Sequence, residues 1–187
     1  DLKMTIVTND PTKRYYYTLL FDDKYRVKIA TRNINIPGVQ NFRDLGGYPS
    51  YSTKKQMRWG MIYRSAEIDS LECSSRREIK NLGIKTLIDL RASSEIGRQS
   101  PLQKGFNVVH IPLATGDMEG ILKGIREEKI KSDTVYRMVE RMNRILIDQY
   151  TKEYRQIFDI LLDKTNYPVV IHCSSGKGRT GIVSALV

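Results

Sequence analysis

The chain predicts an α/β sandwich with a mainly parallel central sheet flanked by helices, preceded by a β-hairpin arm. Three observations carry this. Short runs rich in branched aliphatic residues, at 86–90, 108–111 and 169–171, have the composition of buried strands. Between them lie longer stretches whose apolar positions recur every three or four residues, so strands alternate with helices. Residues 15–29 instead alternate in twos: Tyr15, Tyr17 and Leu19, then Tyr25, Val27 and Ile29, around Asp22-Asp23-Lys24. That is a hairpin with its turn.

The elements follow in order. Residues 1–35 form the hairpin arm, or the remnant of a β-rich N-terminal module, with too few residues for a core of its own. Ile36-Pro37-Gly38 marks the passage into the main domain, 36–187. Residues 39–65 read as loop and short strands, punctuated by Gly46-Gly47 and Pro49, with a strand at 59–63. Ser70 is an N-cap for a helix over 71–82, closed by Gly83. Cys73 then falls in that helix as a small packing residue. After the strand at 86–90 comes one at 108–111, ended by Pro112, and a helix over 118–128. From 134 to 163 the apolar stripe through Val135, Met138, Met142, Ile145, Tyr150, Tyr154, Ile157 and Leu161 describes one long amphipathic helix or two in succession, capped by Asp133.

The segment Val169-Val170-Ile171-His172-Cys173-Ser174-Ser175-Gly176-Lys177-Gly178-Arg179-Thr180-Gly181 carries the chemistry. A strand ends in His172-Cys173, a loop with two glycines follows, and Arg179-Thr180 opens a helix. Such a loop can turn successive backbone N–H groups into one concavity at a helix N-terminus, a cradle for a phosphate dianion with a nucleophile at its base. Ser174, Ser175, Gly176, Lys177, Gly178 and Arg179 would line it. A thiolate attacks phosphorus, and converging dipoles with a guanidinium lower the Cys173 pKa. Arg179 can hold two phosphoryl oxygens with its planar fork. His172 is expected to order the loop through its ring N–H groups, and Thr180 to offer its hydroxyl to the sulfur. The competing reading is a buried structural cysteine followed by a solvated basic turn.

His-Cys-Ser-Ser-Gly-Lys-Gly-Arg-Thr-Gly resembles the signature loop of the cysteine-dependent protein tyrosine and dual-specificity phosphatases. Two further blocks resemble the bacterial branch of that family: Asn41-Phe42-Arg43-Asp44-Leu45-Gly46-Gly47-Tyr48 with Arg58-Trp59-Gly60-Met61-Ile62-Tyr63-Arg64-Ser65, and Leu82-Gly83-Ile84-Lys85-Thr86-Leu87-Ile88-Asp89-Leu90-Arg91 with Glu95 after it. The resemblance covers about residues 38–187. It implies a phosphotyrosine-phosphatase-like sandwich and hydrolysis through a phosphocysteine, with no metal and no cofactor. Many members carry an aspartate just before the signature arginine. This chain has Gly178 there, so that residue's role does not transfer.

Protonation of the leaving group needs an acid within reach. Asp89, at a strand end on the same edge as Cys173, and Asp117, on the loop after Pro112, share that expectation. Against them stand an Asp89 ion pair with Arg91 or Arg43, and a helix N-cap at Asp117. Asp44 and Arg64 are expected to fix the opening segment, within reach of the cradle.

Composition bounds the rest. With 31 basic and 21 acidic residues the net charge is +10, which suits anionic substrates. The basic residues are dispersed and form no nucleic-acid motif, so nucleic acid is not an expected partner. No apolar run reaches membrane-spanning length. Cys73 and Cys173 make neither a disulfide framework nor zinc spacing. The chain starts at Asp1, not Met, so it reads as processed or trimmed; it stops at Val187, eight residues into the signature helix, so it is expected to be either truncated there or unusually packed. A bacterial protein, cytoplasmic or exported with its signal peptide removed, is the expected source. No motif encodes an oligomeric state. The expected substrates are phosphotyrosine proteins, phosphoinositides or both, with Lys177 at the rim favouring extra phosphates. A catalytically weak phosphate- or phosphoprotein-binding module is the alternative, and Gly178 is its best support. A persulfide sulfurtransferase shares a cysteine loop, but the Arg-Thr-Gly exit opposes it.

Overall fold

The structure, a computed structural model, describes residues 5–8, 13–69, 71–96, 105–116 and 118–187. The hairpin forms as expected. Strands β1 (Tyr17–Phe21) and β2 (Tyr25–Ile29) pair antiparallel, and Asp22 and Asp23 take the left-handed conformation of a tight hairpin turn.

Among the described residues, five strands make the central sheet: β3 (Arg43–Asp44), β4 (Ile62–Ser65), β5 (Thr86–Asp89), β6 (Asn107–His110) and β7 (Val169–His172), in the order β3-β4-β7-β5-β6. Only β3 runs antiparallel to its neighbour. The helices are α1 (Cys73–Asn81), α2 (Met118–Arg126), α3 (Ser132–Gln149), α4 (Thr151–Leu162) and α5 (Gly178–Leu186).

Alternation along the strands sorts the core into two layers. Ile62, Ile88, Val169 and Ile171 face Leu146, Ile157, Leu161 and Val183 of α3, α4 and α5. Tyr63, Leu87 and Val170 face Ile79 of α1 with Ile36 and Phe42. The sheet is thus covered on both sides, and β7, central and wholly buried, delivers its carboxyl end to the sheet's ligand-binding edge.

Several expectations need correction. The strand after Trp59 begins three residues later, at Ile62, because residues 59–61 are held in a turn with Gly60 at positive φ. Helix α1 starts at Cys73, whose side chain is exposed rather than packed, and Ser70 lies outside the described residues. Of the two forms expected for the long amphipathic stretch, the structure takes the second: two helices in succession, meeting at Tyr150. Asp133 does not cap it: the N-cap is Lys131, without a side-chain bond, and Asp133 sits within the first turn.

The arm is tied to the main domain by specific contacts. Trp59 Nε1 donates to the Lys28 carbonyl at 2.9 Å, and Arg14 Nη2 pairs with the buried Asp44 at 2.9 Å. Arg32 stacks over Tyr48 at 3.7 Å.

Candidate active site

The loop between β7 and α5 holds the site. Its shape depends on Gly176, whose φ is +66°. A Cβ there would lie 2.5 Å from the Ser65 carbonyl and the Ala66 nitrogen, so only glycine fits. Gly178 is not constrained in this way: a Cβ there would meet nothing closer than Met142 Cε at 3.9 Å.

The loop's own carbonyls are tied back from outside. Arg64 Nη2 donates to the carbonyls of Gly176 at 2.7 Å and Lys177 at 3.1 Å. Asn41 Nδ2 donates to the Ser175 carbonyl at 2.7 Å, and the Glu67 N–H to the Ser174 carbonyl at 3.2 Å. With the carbonyls bound outward, the loop N–H groups are left to the concave side.

Cys173 is 1% exposed. Burial pushes its thiol pKa up, but the Thr180 hydroxyl and N–H, the Arg179 charge and the Gly176 N–H outweigh that, and the net position is below an ordinary thiol. Thr180 Oγ1 is buried with no nitrogen or oxygen partner, which leaves its proton for the sulfur. Lys177 and Ser175 are exposed at the rim.

Arg179 is 8% exposed and held by a residue to which the sequence assigned no role. Glu95, on a single 3-10 turn (Ser93–Glu95), accepts from Arg179 Nη1 at 2.5 Å and Nη2 at 2.7 Å. Glu95 also accepts from the Ser174 hydroxyl at 2.6 Å and the Ala92 N–H at 2.7 Å. Burial opposes ionisation of this carboxyl. The bonds from Arg179, Ser174 and Ala92 prevail and hold its pKa at about 2. Two signals pointed to it: a carboxylate a few residues past the carboxyl end of β5, and its place in a motif block.

Asp89 is not available as a proton donor. Arg91, 1% exposed, wraps back onto it, with Nε at 3.0 Å from Oδ1 and Nη2 at 2.6 Å from Oδ2. The Arg91 N–H adds a bond at 3.0 Å. Burial raises the Asp89 pKa, but these bonds and the neighbouring His172 bring it below the usual carboxylate value. The same guanidinium reaches Asp69 at 2.5 Å. Asp117, the other expected acid, lies outside the described residues. Asp44 stands away from the cradle in its contacts: it accepts from the Gly46 and Gly60 N–H groups and pairs with Arg14, which fixes the opening segment.

His172 departs from expectation. Neither ring nitrogen has a hydrogen-bond partner, and Asp89 Oδ1 is 3.9 Å from Nδ1, too far for a bond. Its ring is buried beside Asp89 and bonds no part of the loop. Burial lowers its pKa to about 4 despite the pull of Asp89. The folded value is below the ordinary 6.5, so between them the unfolded chain binds more protons. Stability is therefore present above pH 6.5 and falls as the pH drops through about 4. From about pH 7 to about pH 5 the expected loss is on the order of 2 kcal/mol. Urea unfolding at the two pH values checks this, and His172→Gln should flatten the dependence. An unchanged wild-type stability would refute it.

Comparison with known proteins agrees with this geometry. The sequence pattern of the tyrosine phosphatase family matches residues 34–187. The chain is 30% identical over 174 residues to triple specificity protein phosphatase PtpB of Mycobacterium tuberculosis, covering 81% of this chain and 61% of that one. It is 28% identical over 131 residues to inositol diphosphatase DSP2 of Arabidopsis thaliana, covering 64% of this chain and 49% of that one. It thus spans about half to three-fifths of the length of these relatives. A cysteine under a glycine-shaped loop, closed by a carboxylate-anchored arginine, sits within the matched span, and the chain belongs to the tyrosine phosphatase family.

Proposed function

We propose that the chain hydrolyses phosphomonoesters through a phosphocysteine, without a metal. The observation that carries this is Cys173, buried yet with its thiol pKa lowered by Thr180, Arg179 and Gly176. Its thiolate attacks phosphorus, an S–P bond forms and the P–O bond to the leaving group breaks. The leaving oxygen takes a proton. Asp89 is committed to Arg91, so of the two expected donors that role passes to Asp117. Water then attacks the phosphocysteine, the S–P bond breaks, and inorganic phosphate leaves. The Thr180 hydroxyl donates to the departing thiolate. Through both steps Arg179 faces the transferring oxygens while Glu95 fixes its orientation.

Two substrate classes have support. The names of the relatives, a triple specificity protein phosphatase and an inositol diphosphatase, point to phosphorylated proteins and inositol phosphates. The net charge of +10 and the exposed Lys177 favour anionic substrates generally.

Para-nitrophenyl phosphate tests the reading, because its leaving group needs little protonation. Turnover should persist undiminished in EDTA, since the thiolate supplies the nucleophile and Arg179 the charge. A rate that collapses with chelator and returns with a divalent ion would overturn the metal-free mechanism. No turnover, with phosphate binding retained, would make the chain a phosphate-binding module.

A further inference from the structure

Successive peptide units of the phosphate loop are oriented from behind. A trans peptide unit points its N–H opposite to its carbonyl, so a carbonyl bound outward sends the next residue's N–H inward. The Glu67 N–H holds the Ser174 carbonyl, which turns the Ser175 N–H to the concave side. Asn41 holds the Ser175 carbonyl, which turns the Gly176 N–H, and that N–H reaches the Cys173 sulfur. The next unit, from Gly176 to Lys177, is held by Arg64 Nη2 at 2.7 Å. The one after it, from Lys177 to Gly178, has Arg64 at 3.1 Å and also the first bond of α5, from the Gly181 N–H at 2.8 Å.

The Gly176–Lys177 unit is where a tie matters most. It follows a glycine at φ +66°, whose backbone has the widest freedom to turn, and it lies outside the helix. Rotation there would aim the Gly176 carbonyl at an incoming anion and carry the Lys177 N–H away. Arg64 meanwhile sits where a cation is disfavoured. Its guanidinium lies against the first turn of α5, with Nη2 3.4 Å from where a Cβ on Gly181 would stand, at the positive end of the helix dipole. Burial, and next the cross-strand Arg43, lower its pKa, while Cys173 and Tyr48 draw it up. An apolar side chain would fill the same space without these penalties. What it could not do is bind the carbonyls.

We infer that Arg64 is a positioning residue for the reaction: by locking the Gly176–Lys177 peptide unit it aims the Lys177 N–H at the transferring phosphoryl group, without touching substrate itself. The Thr180 N–H is taken by the sulfur. The Lys177 N–H therefore joins those of Gly178 and Arg179, at the opening of α5, in one arc of donors for the phosphoryl oxygens. The inference rests on the phosphocysteine reading and gives Arg64 a part in it.

Two measurements separate Arg64 from Asn41. One is calorimetric binding of inorganic phosphate. The other is the pH dependence of Cys173 alkylation by iodoacetamide, followed by mass spectrometry of its peptide so that Cys73 does not enter. Arg64→Gln should weaken phosphate about 10-fold, the size of one lost hydrogen bond to a charged group. It should move the alkylation profile less, because Thr180, Arg179 and the Gly176 N–H still serve the sulfur. Asn41→Ala should do the reverse: the Gly176 N–H is freed, alkylation needs a higher pH, and phosphate binding falls less. Arg64→Lys keeps the charge and reaches one carbonyl, so it should lose less phosphate affinity than Arg64→Gln but not match the wild type. It carries the test if the glutamine variant does not fold. Unchanged phosphate binding in Arg64→Gln would overturn the inference. So would wild-type binding in Arg64→Lys, which makes charge alone the cause. So would one ratio of the two effects in both Arg64→Gln and Asn41→Ala, the mark of a loop merely loosened. Binding and alkylation are read without turnover, so the two readings fail separately. Arg64-dependent binding with no hydrolysis sinks the phosphatase, and hydrolysis with Arg64-independent binding sinks the positioning role.

Discussion

Cys173→Ser is expected to abolish turnover of para-nitrophenyl phosphate and leave inorganic phosphate binding largely intact. The site is arranged to stabilise an anion on sulfur: the Thr180 hydroxyl and N–H, the Gly176 N–H and the Arg179 charge together offset the cost of burying it. A serine hydroxyl is far less acidic than a thiol, and the same contacts cannot bring it to the alkoxide near neutral pH. The binding surface survives the change. Arg64 and Asn41 still hold the loop carbonyls, Gly176 still has its left-handed turn, and Arg179 still rests on Glu95. Steady-state rates and calorimetry on the same preparation separate the two properties. A serine variant that keeps more than a trace of activity would refute the phosphocysteine. One that loses phosphate binding as well would show that sulfur is part of the cradle's structure.

How far the site was legible depends on how far its contacts reach along the chain. The loop from Cys173 to Arg179 is local, and strand, glycines and helix start all lie within one short segment, so its form followed from residue types alone. Asp89 and Arg91 were also within reach of sequence reasoning. Two residues apart in an extended segment, they share a face, and their pairing stood as one of two expectations for Asp89. What decided between them was the nearly complete burial of both side chains, which only the fold supplies. Glu95 and Arg179 are 84 residues apart. No periodicity links them; they meet because β5 and β7 are neighbours in the sheet and both end at the same edge. The His172 ring was expected to bond the loop, but it is buried beside Asp89 and finds no acceptor or donor at bonding distance. Two helices in succession stood as one of two expectations for residues 134–163, and the fold supplied the choice and the place of the break at Tyr150.

Arg179→Lys is expected to lower kcat by roughly 10²-fold or more, the scale of losing a preorganised charge at a transferring group. The guanidinium does several things at once that an ammonium cannot. Nη1 and Nη2 take the two Glu95 oxygens in a bidentate pair, and Nη2 also reaches Ser174 Oγ at 3.1 Å. Nη1 lies 3.4 Å from the carbonyls of Leu90 and Leu113, which close the far side. The plane of the fork is therefore set before substrate arrives, and of its donors these bonds leave Nε for the charge that shifts onto the phosphoryl oxygens. A lysine in this place keeps the charge but is a compact point at the end of a flexible stem. It can follow Glu95 or the phosphate, not both with fixed geometry. Glu95→Gln separates orientation from charge. It keeps Arg179 and one acceptor but removes the carboxylate, whose pKa of about 2 keeps it ionised throughout the working pH range. Its kcat should fall less than that of the lysine variant, with no new titration near neutral pH. The charge of Glu95 does not enter the chemistry; its role is to aim Arg179. If Arg179→Lys retained near-wild-type kcat, a fixed fork would be unnecessary. If Glu95→Gln were the more damaging change, Glu95 would itself have to act on the substrate, and the division between the residue that holds and the residue that stabilises would be reversed.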